Sequence, residues 1–304
     1  CAAWTRTMRS ALPLLACAAS LLCAPVAVAL NEFGIEGMGV VSTKSGEGRA
    51  SLSPDGQRIV FASDRAGGRG GWDLWQATVV GGRWQAAEPL ALNSAGDDLD
   101  PYFSHDGRWL LFASDRDGVL ALYRVAVSRD GPLDVPEAWP EHGSRAPERG
   151  PALSADGQRL LFARHVGKGH GWDLHVAAVD AGQRRTAVAL DALNSAADET
   201  DGDWLGSAGA VAFTRAGDGI AQVWRSDCAW TATSLQPVAL SFNTADGRTH
   251  APVVDAAKPA EMLLASSSAR APRAGSGDVY RMLAPRPATE AGCIPPQLPS
   301  APNR

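Results

Sequence analysis

One motif returns five times along this chain at an almost constant interval. An apolar pentapeptide occurs at Ile59-Val60-Phe61-Ala62-Ser63, Leu110-Leu111-Phe112-Ala113-Ser114, Leu160-Leu161-Phe162-Ala163-Arg164, Val211-Ala212-Phe213-Thr214-Arg215 and Met262-Leu263-Leu264-Ala265-Ser266. Its central residues stand at 61, 112, 162, 213 and 264, with spacings of 51, 50, 51 and 51. A fixed period of this length means one supersecondary unit repeated, each copy needing neighbours to bury its apolar surface. Six residues before the first three centres lie Asp55, Asp106 and Asp156, each followed by a glycine: Gly56, Gly107 and Gly157. Aspartate accepts backbone N–H bonds within a turn and glycine supplies the positive φ, so these pairs predict hairpins between two strands. In the fourth and fifth units the turn has decayed to Ser207-Ala208 and Lys258-Pro259, while the strand after it keeps its pattern.

A polar loop and a third strand follow, the latter carrying Trp75, Tyr123, His175, Trp224 or Tyr280. A fourth strand then ends in Leu92-Asn93-Ser94, Leu193-Asn194-Ser195 or Phe242-Asn243-Thr244. The fifth unit has no fourth strand after Tyr280, but Val40-Val41-Ser42-Thr43 has the pattern of a strand end and lies 51 residues before its counterpart in the first unit. A chain that splits a repeat between its two ends is built to close a ring and remove exposed sheet edges. The expected fold is therefore an all-β propeller of four-stranded blades: five by repeat count, six as the alternative. The expected repeats run over 47–97, 98–147, 148–198, 199–246 and 247–284, with 38–44 completing the last blade and a Pro-rich tail over 285–304.

Ahead of the repeats, Met8 to Ala29 combine a basic start at Arg9, an apolar run and a small-residue site at Ala27-Val28-Ala29, the pattern of a secretory signal peptide. Residues 1–29, with 1–7 as residues upstream of a Met8 start, are set apart from the propeller at 30–284. The alternative is lipoprotein processing at Cys17. Export to the periplasm or beyond leaves Cys228 and Cys293 where disulfides persist, so a bridge between them is one expectation and two buried thiols the other. The chain holds 28 basic and 33 acidic residues, a net charge of −5, and residues 1–29 contain two of the bases and no acid. That balance disfavours tracking of nucleic-acid phosphates. No membrane span is expected in the mature chain.

At Pro101-Tyr102-Phe103-Ser104-His105-Asp106-Gly107 with Ser114-Asp115-Arg116, and at Ser53-Pro54-Asp55-Gly56 with Ser63-Asp64-Arg65, the sequence resembles the TolB-type, WD-repeat-like β-propellers of bacterial envelopes. The resemblance spans nearly all of residues 35–284. It implies a periplasmic or secreted protein-interaction platform, more an adaptor than an enzyme, with an envelope protein as partner. The shared residues build turns and strand ends, so they speak for fold rather than activity.

In a propeller the first strand of each blade lines the central channel. Arg49, Asp98, Asp100, Glu199, Asp201, Asp203 and His250 fall near its mouth, with Glu47 and Glu148 close by, predicting an acidic opening. Three uses compete there: docking of a protein, a calcium site drawing on Asp100, Asp201 and Asp203, or carboxylates of a glycan-active or other hydrolase. A fourth reading leaves these residues as solvated strand ends. Trp72 and Trp172, in the repeated Gly-Trp-Asp-Leu, begin third strands and are candidates for an aromatic rim. No cofactor is otherwise implied. There is no Gly-x-Ser-x-Gly elbow, the spacing of His165, His170 and His175 suits no zinc site, and the Gly67–Gly71 loop precedes a strand rather than a phosphate-binding helix.

Overall fold

The computed structural model describes residues 36–286 apart from 129, 134, 142–143, 168–170, 207–208, 270 and 272–274. The signal peptide, Cys17, Cys293 and the tail beyond 286 lie outside the described residues, as does the degenerate turn at 207–208. Cys228 is disulfide-bonded, and its partner is not among the described residues.

Five sheets stand around one axis, one for each repeat, giving a five-bladed β-propeller. The inner strands are Glu47–Leu52, Asp98–Phe103, Glu148–Leu153, Asp198–Leu205 and Thr249–Val254. Each packs beside the inner strands on both sides, and the fifth meets the first. The second strands are Arg58–Ser63, Trp109–Ser114, Arg159–His165, Ala210–Gly217 and Glu261–Ser266. Because a blade is covered on both faces by its neighbours, these strands read as continuous apolar runs rather than alternating ones. Ile59, Val60, Phe61 and Ala62 are all buried, as are Leu110, Leu111, Phe112 and Ala113. The third strands are Asp73–Val80, Ala121–Ser128, Trp172–Asp180, Ile220–Arg225 and Asp278–Leu283.

The register repeats from blade to blade. Phe61 pairs with Trp75, Phe112 with Tyr123, Phe162 with His175, Phe213 with Trp224 and Leu264 with Tyr280. The first three hairpins share one hydrogen-bond design. Ser53 Oγ donates to Asp55 Oδ1 at 2.5 Å, the Gln57 N–H donates to the same oxygen at 3.0 Å, and Gly56 has φ 66°. Ser104 with Asp106, and Ser154 with Asp156, repeat it.

The ring closes through Glu36–Gly37, whose ladder partners are Arg281 and Tyr280, and Met38 N–H continues the contact to Val279 O at 2.9 Å. The closing pair thus lies just ahead of the expected 38–44. Ser42 and Thr43 instead form the loop that follows the outer strand, the position of Asn93-Ser94 in the first blade. Among the described residues the only helix is the 3-10 turn Ala232–Ser234, and no helix is long and apolar enough to cross a membrane.

Phe112 is fully buried and stacks on Tyr123 at 5.8 Å between ring centroids. Truncation by Phe112→Ala is expected to cost about 3–5 kcal/mol, read as a lowered urea midpoint with unchanged slope. A loss below about 1 kcal/mol would mean that the blade repacks around the gap.

Candidate functional site at the channel mouth

Four of the five inner strands carry, at their first or second residue, a carboxylate held by an arginine of their own blade. Arg65 meets Glu47 at 3.0 Å, and Arg116–Asp98, Arg164–Glu148 and Arg215–Glu199 each close at 2.6 Å. The guanidinium lies over the repeated aromatic: Arg65 is 4.7 Å from the Phe61 centroid, Arg116 is 5.2 Å from Phe112, and Arg215 is 4.8 Å from Trp224. Hydroxyls of the preceding loop add bonds, Thr43 to Glu47 at 2.6 Å and Ser195 to Glu199 at 2.6 Å. Blade three adds Arg184, whose Nη1 reaches Glu148 Oε2 at 2.6 Å. Blade five lacks both charges. Thr249 stands where the carboxylate would, hydrogen-bonded to Phe242 O and Ser266.

Two residues further along, every inner strand shifts register, between Glu47/Ala50, Leu99/Tyr102, Arg149/Ala152, Thr200/Asp203 and His250/Val253. Asp100, Gly150, Asp201 and Ala251 there adopt φ of 55°, 62°, 53° and 56°. Such bulges re-aim side chains. Here they gather Arg49, Asp100, Asp201 and His250, with Arg149 and Trp72, around a cavity of about 280 Å³.

Charges of both signs line that cavity, Arg49 and Arg149 with Asp97, Asp100 and Asp201. Arg149 binds Asp100 with two bonds of 2.9 and 3.0 Å, and its Nη2 lies 3.7 Å from Asp201 Oδ1. The Gly150 N–H also donates to Asp100 Oδ2 at 3.1 Å. Burial would lower the Arg149 pKa, but Asp100 and Asp201 outweigh it and raise the value. For Asp201, burial pushes upward, while Arg149, Arg49 and His250 bring it below the ordinary carboxylate value. His250 moves the opposite way: desolvation depresses it below 6.5, and Asp201 restores only part of the difference. Arg49 is 1% exposed and reaches across to Gly202 O with Nη2 at 3.2 Å.

The mouth therefore brings together Arg49, Trp72, Asp100, Asp201 and His250. Trp172 adjoins it through Arg149, whose guanidinium lies 5.9 Å from the indole centroid. Both tryptophans are half-buried, and their backbone N–H groups are fixed alike, donating to Asp97 Oδ1 and Asp198 Oδ1 at 2.9 Å each. Asp98 and Glu199 sit behind the mouth in the arginine pairs. Asp203 is buried deeper, accepting from Val254 N–H at 2.6 Å and Trp204 N–H at 2.7 Å, with its pKa raised by burial. Asp100, Asp201 and Asp203 do not converge on a cation position, and among the described residues no group of three metal-ligating side chains does. Sequence reasoning missed Arg149, although it occupies the same register position as His250. It also passed over the arginines that neutralise the strand-start acids.

No family model matches the sequence, and no curated protein matches it. Solved structures do. A putative TolB from Agrobacterium tumefaciens aligns with TM-score 0.53 and 14% identity over 83% of this chain and 97% of that one. TolB from Acinetobacter baumannii aligns with TM-score 0.45 and 18% identity over 62% of this chain and 43% of its own. The catalytic domain of the Coprinopsis cinerea GH62 α-L-arabinofuranosidase gives TM-score 0.48 and 11% identity over 78% of this chain and 90% of that one. At these identities the Agrobacterium likeness establishes the propeller fold alone.

The depressed His250 pKa has a defined thermodynamic sign. The unfolded chain binds this proton more readily, so its contribution to stability is lost as pH falls below 6.5. Urea unfolding of the protein and its His250→Gln variant at pH 7.5 and at pH 5 is expected to show the unsubstituted protein losing more stability than the variant. Equal losses would show that His250 gains a proton as readily folded as unfolded.

Proposed function

We propose that this chain is a secreted or periplasmic TolB-like propeller that serves as a rigid protein-interaction platform in the bacterial envelope, with the channel-mouth face as its docking surface. The observation that carries this reading is the gathering of Trp72, Trp172 and Arg149 at one mouth on a frame of five interlocked sheets. Tryptophan and arginine are the side chains that dominate binding hot spots, and a rigid presentation lowers the ordering cost of association. The mouth carries charges of both signs, which suits a mixed polar and aromatic interface rather than a field of one sign.

Hydrolysis of a glycan is less well served by the same residues. A retaining or inverting glycosidase requires two carboxyl groups facing one another across the scissile bond. Both oxygens of Asp100 are engaged by Arg149, and the carboxylates behind it are locked to arginines.

The test is capture of an envelope protein from membrane and periplasmic extract on the immobilised protein, followed by titration of that partner against the Trp172→Ala and Trp72→Ala variants. Loss of an aromatic hot spot is expected to weaken binding by about tenfold or more while the variants keep the parent's circular dichroism. Absence of any saturable partner, or a partner that binds both variants with parent affinity, would overturn the reading.

A further inference from the structure

The hairpin face of the ring, opposite the mouth, carries a cavity of its own. The inner strands that start at the mouth end at Phe103 and Leu153. The hairpins that follow them, together with Trp109, Trp139 and the turn at Ala181-Gly182, enclose about 240 Å³ between the second and third blades. Trp109 is a departure from the repeat. It stands three residues before Phe112, where the other four blades place Arg58, Arg159, Ala210 and Glu261. Those blades pack without an aromatic ring at this position, and in blade two the ring is left half-buried at the cavity wall.

The wall is held firmly while several of its polar atoms stay open. Arg124 lies over two indoles, 4.4 Å from the Trp109 centroid and 5.1 Å from that of Trp139. Its Nε donates to Glu137 at 2.6 Å and its Nη1 to Gly182 O at 2.9 Å, and Trp139 Nε1 donates to the same carbonyl at 3.0 Å. Arg124 Nη2 and the Trp109 indole N–H have no partner among the described residues, and neither is sealed from solvent. On the hairpin side, Tyr102 Oη donates its hydrogen to Leu153 O at 2.9 Å, so its 3.2 Å contact with His105 Nε2 is donated by the histidine. His105 Nδ1 is then an acceptor, also without a partner among the described residues and also unsealed. Asp156 accepts from Ser154 and Gln158 through Oδ1 and leaves Oδ2 open.

Two charges of each sign line this cavity, Arg108 and Arg124 with Asp106 and Asp156. Both arginines already close ion pairs of 2.6 Å, Arg108 with Asp106 and Arg124 with Glu137. An anion finds no uncommitted cation there, and a cation drawn by Asp156 meets the N–H groups of Trp109 and Arg124. What stands open is two donors, Trp109 Nε1 and Arg124 Nη2, and two acceptors, His105 Nδ1 and Asp156 Oδ2. A hydroxyl donates and accepts, so several hydroxyls on one small ring serve both kinds together. Leu111, Leu153 and Val179 also line the cavity, and they suit the C–H faces of such a ring. The volume falls just below the range of drug-sized pockets, which is room for one ring rather than a chain of them.

We propose that the cleft between the second and third blades on the hairpin face binds one neutral sugar unit, its hydroxyls accepting from Trp109 and Arg124 and donating to His105 and Asp156. Asp156 is ionised, because its bonds from Ser154 and Gln158 outweigh its partial burial and hold its pKa below the ordinary carboxylate value. The bond it accepts is therefore charge-assisted, as is the one Arg124 donates. The site lies on the other face of the ring from the docking surface and does not depend on that reading.

The experiment is isothermal titration calorimetry of the purified protein against glucose, galactose, mannose and N-acetylglucosamine at up to about 10 mM, a range that reaches millimolar affinities. N-acetylalaninamide, sodium acetate and methylammonium chloride are separate arms, standing for a peptide amide, an anion and a cation. At least one sugar is expected to bind saturably, and at least about tenfold more tightly than any of these three. The repeat supplies the variants. His105→Ala introduces the residue type that blade three has at Ala155, and Trp109→Arg the type that blade one has at Arg58. Each is expected to weaken sugar binding by about tenfold or more, with melting curves to establish folding. If Trp109→Arg does not fold, His105→Ala alone decides. The mouth variants Trp72→Ala and Trp172→Ala are expected to bind the sugar with parent affinity. Failure of every sugar to bind, equal binding of the amide, acetate or methylammonium, parent affinity in either folded cleft variant, or loss of sugar binding in the mouth variants would overturn the proposal. Partner capture reads the mouth separately, so failure of one reading is distinguishable from failure of the other.

Discussion

The fold depends on a buried ion pair repeated around the ring. A carboxylate stands at the first or second residue of the inner strand in four blades, and an arginine of the same blade neutralises it while lying over the aromatic centre of the second strand. Burying either charge alone would cost several kcal/mol, and burying both is tolerated when geometry and extra hydrogen bonds are good. Here the added bonds come from Thr43, Ser94 and Ser195 in the loops that lead into the strands. One contact thus joins three layers: the loop before a blade, its channel-lining strand, and its apolar middle strand. Blade five shows the alternative solution. It lacks acid and arginine together, and Thr249 with Ser266 closes the same corner through neutral hydrogen bonds. The joint loss is what the energetics demand, because keeping one partner without the other would leave a buried charge unpaired.

Much of this architecture was legible in the sequence because turns and strands are encoded locally. The fifty-residue period, the Asp-Gly hairpins and the continuous apolar strands each leave a short linear signal, and together they predict blade number and ring closure. The ion pairs left no such signal. In blades one and two the arginine stands four residues after the central aromatic, at Arg65 and Arg116, while in blades three and four it stands two residues after, at Arg164 and Arg215. Side chains from two backbone positions reach the same place, and a linear alignment does not bring them together. Closure by the N-terminal strand was legible, but its pairing residues lie just ahead of the expected segment for a different reason. Glu36 and Gly37 are exposed and polar in pattern, so the eye falls on the loop after them, where Ser42 and Thr43 serve Glu47.

At the mouth, position was readable and chemistry was not. The register of the inner strands placed Arg49, Asp100, Asp201 and His250 around the channel, and the structure gathers them there. An acidic opening was expected from the residues at the strand starts. The structure sets Arg49 and Arg149 among Asp97, Asp100 and Asp201 there, with Asp98 and Glu199 withdrawn behind the mouth. Net charge over a strand end says little about net charge over a cavity, because neighbouring positions on a bulged strand point to different places. That mixture of signs is what makes the site suited to mixed contacts rather than to a polyanion.

The direct test of the account is a double-mutant cycle at the Glu199–Arg215 pair, using Glu199→Gln, Arg215→Met and both together, with stability taken from urea unfolding at neutral pH. If the pair joins loop, channel strand and blade core as described, each single change is strongly destabilising and the double change recovers much of the loss, with a coupling of about 2–3 kcal/mol. A coupling under about 0.5 kcal/mol, the range of an exposed surface pair, would contradict it.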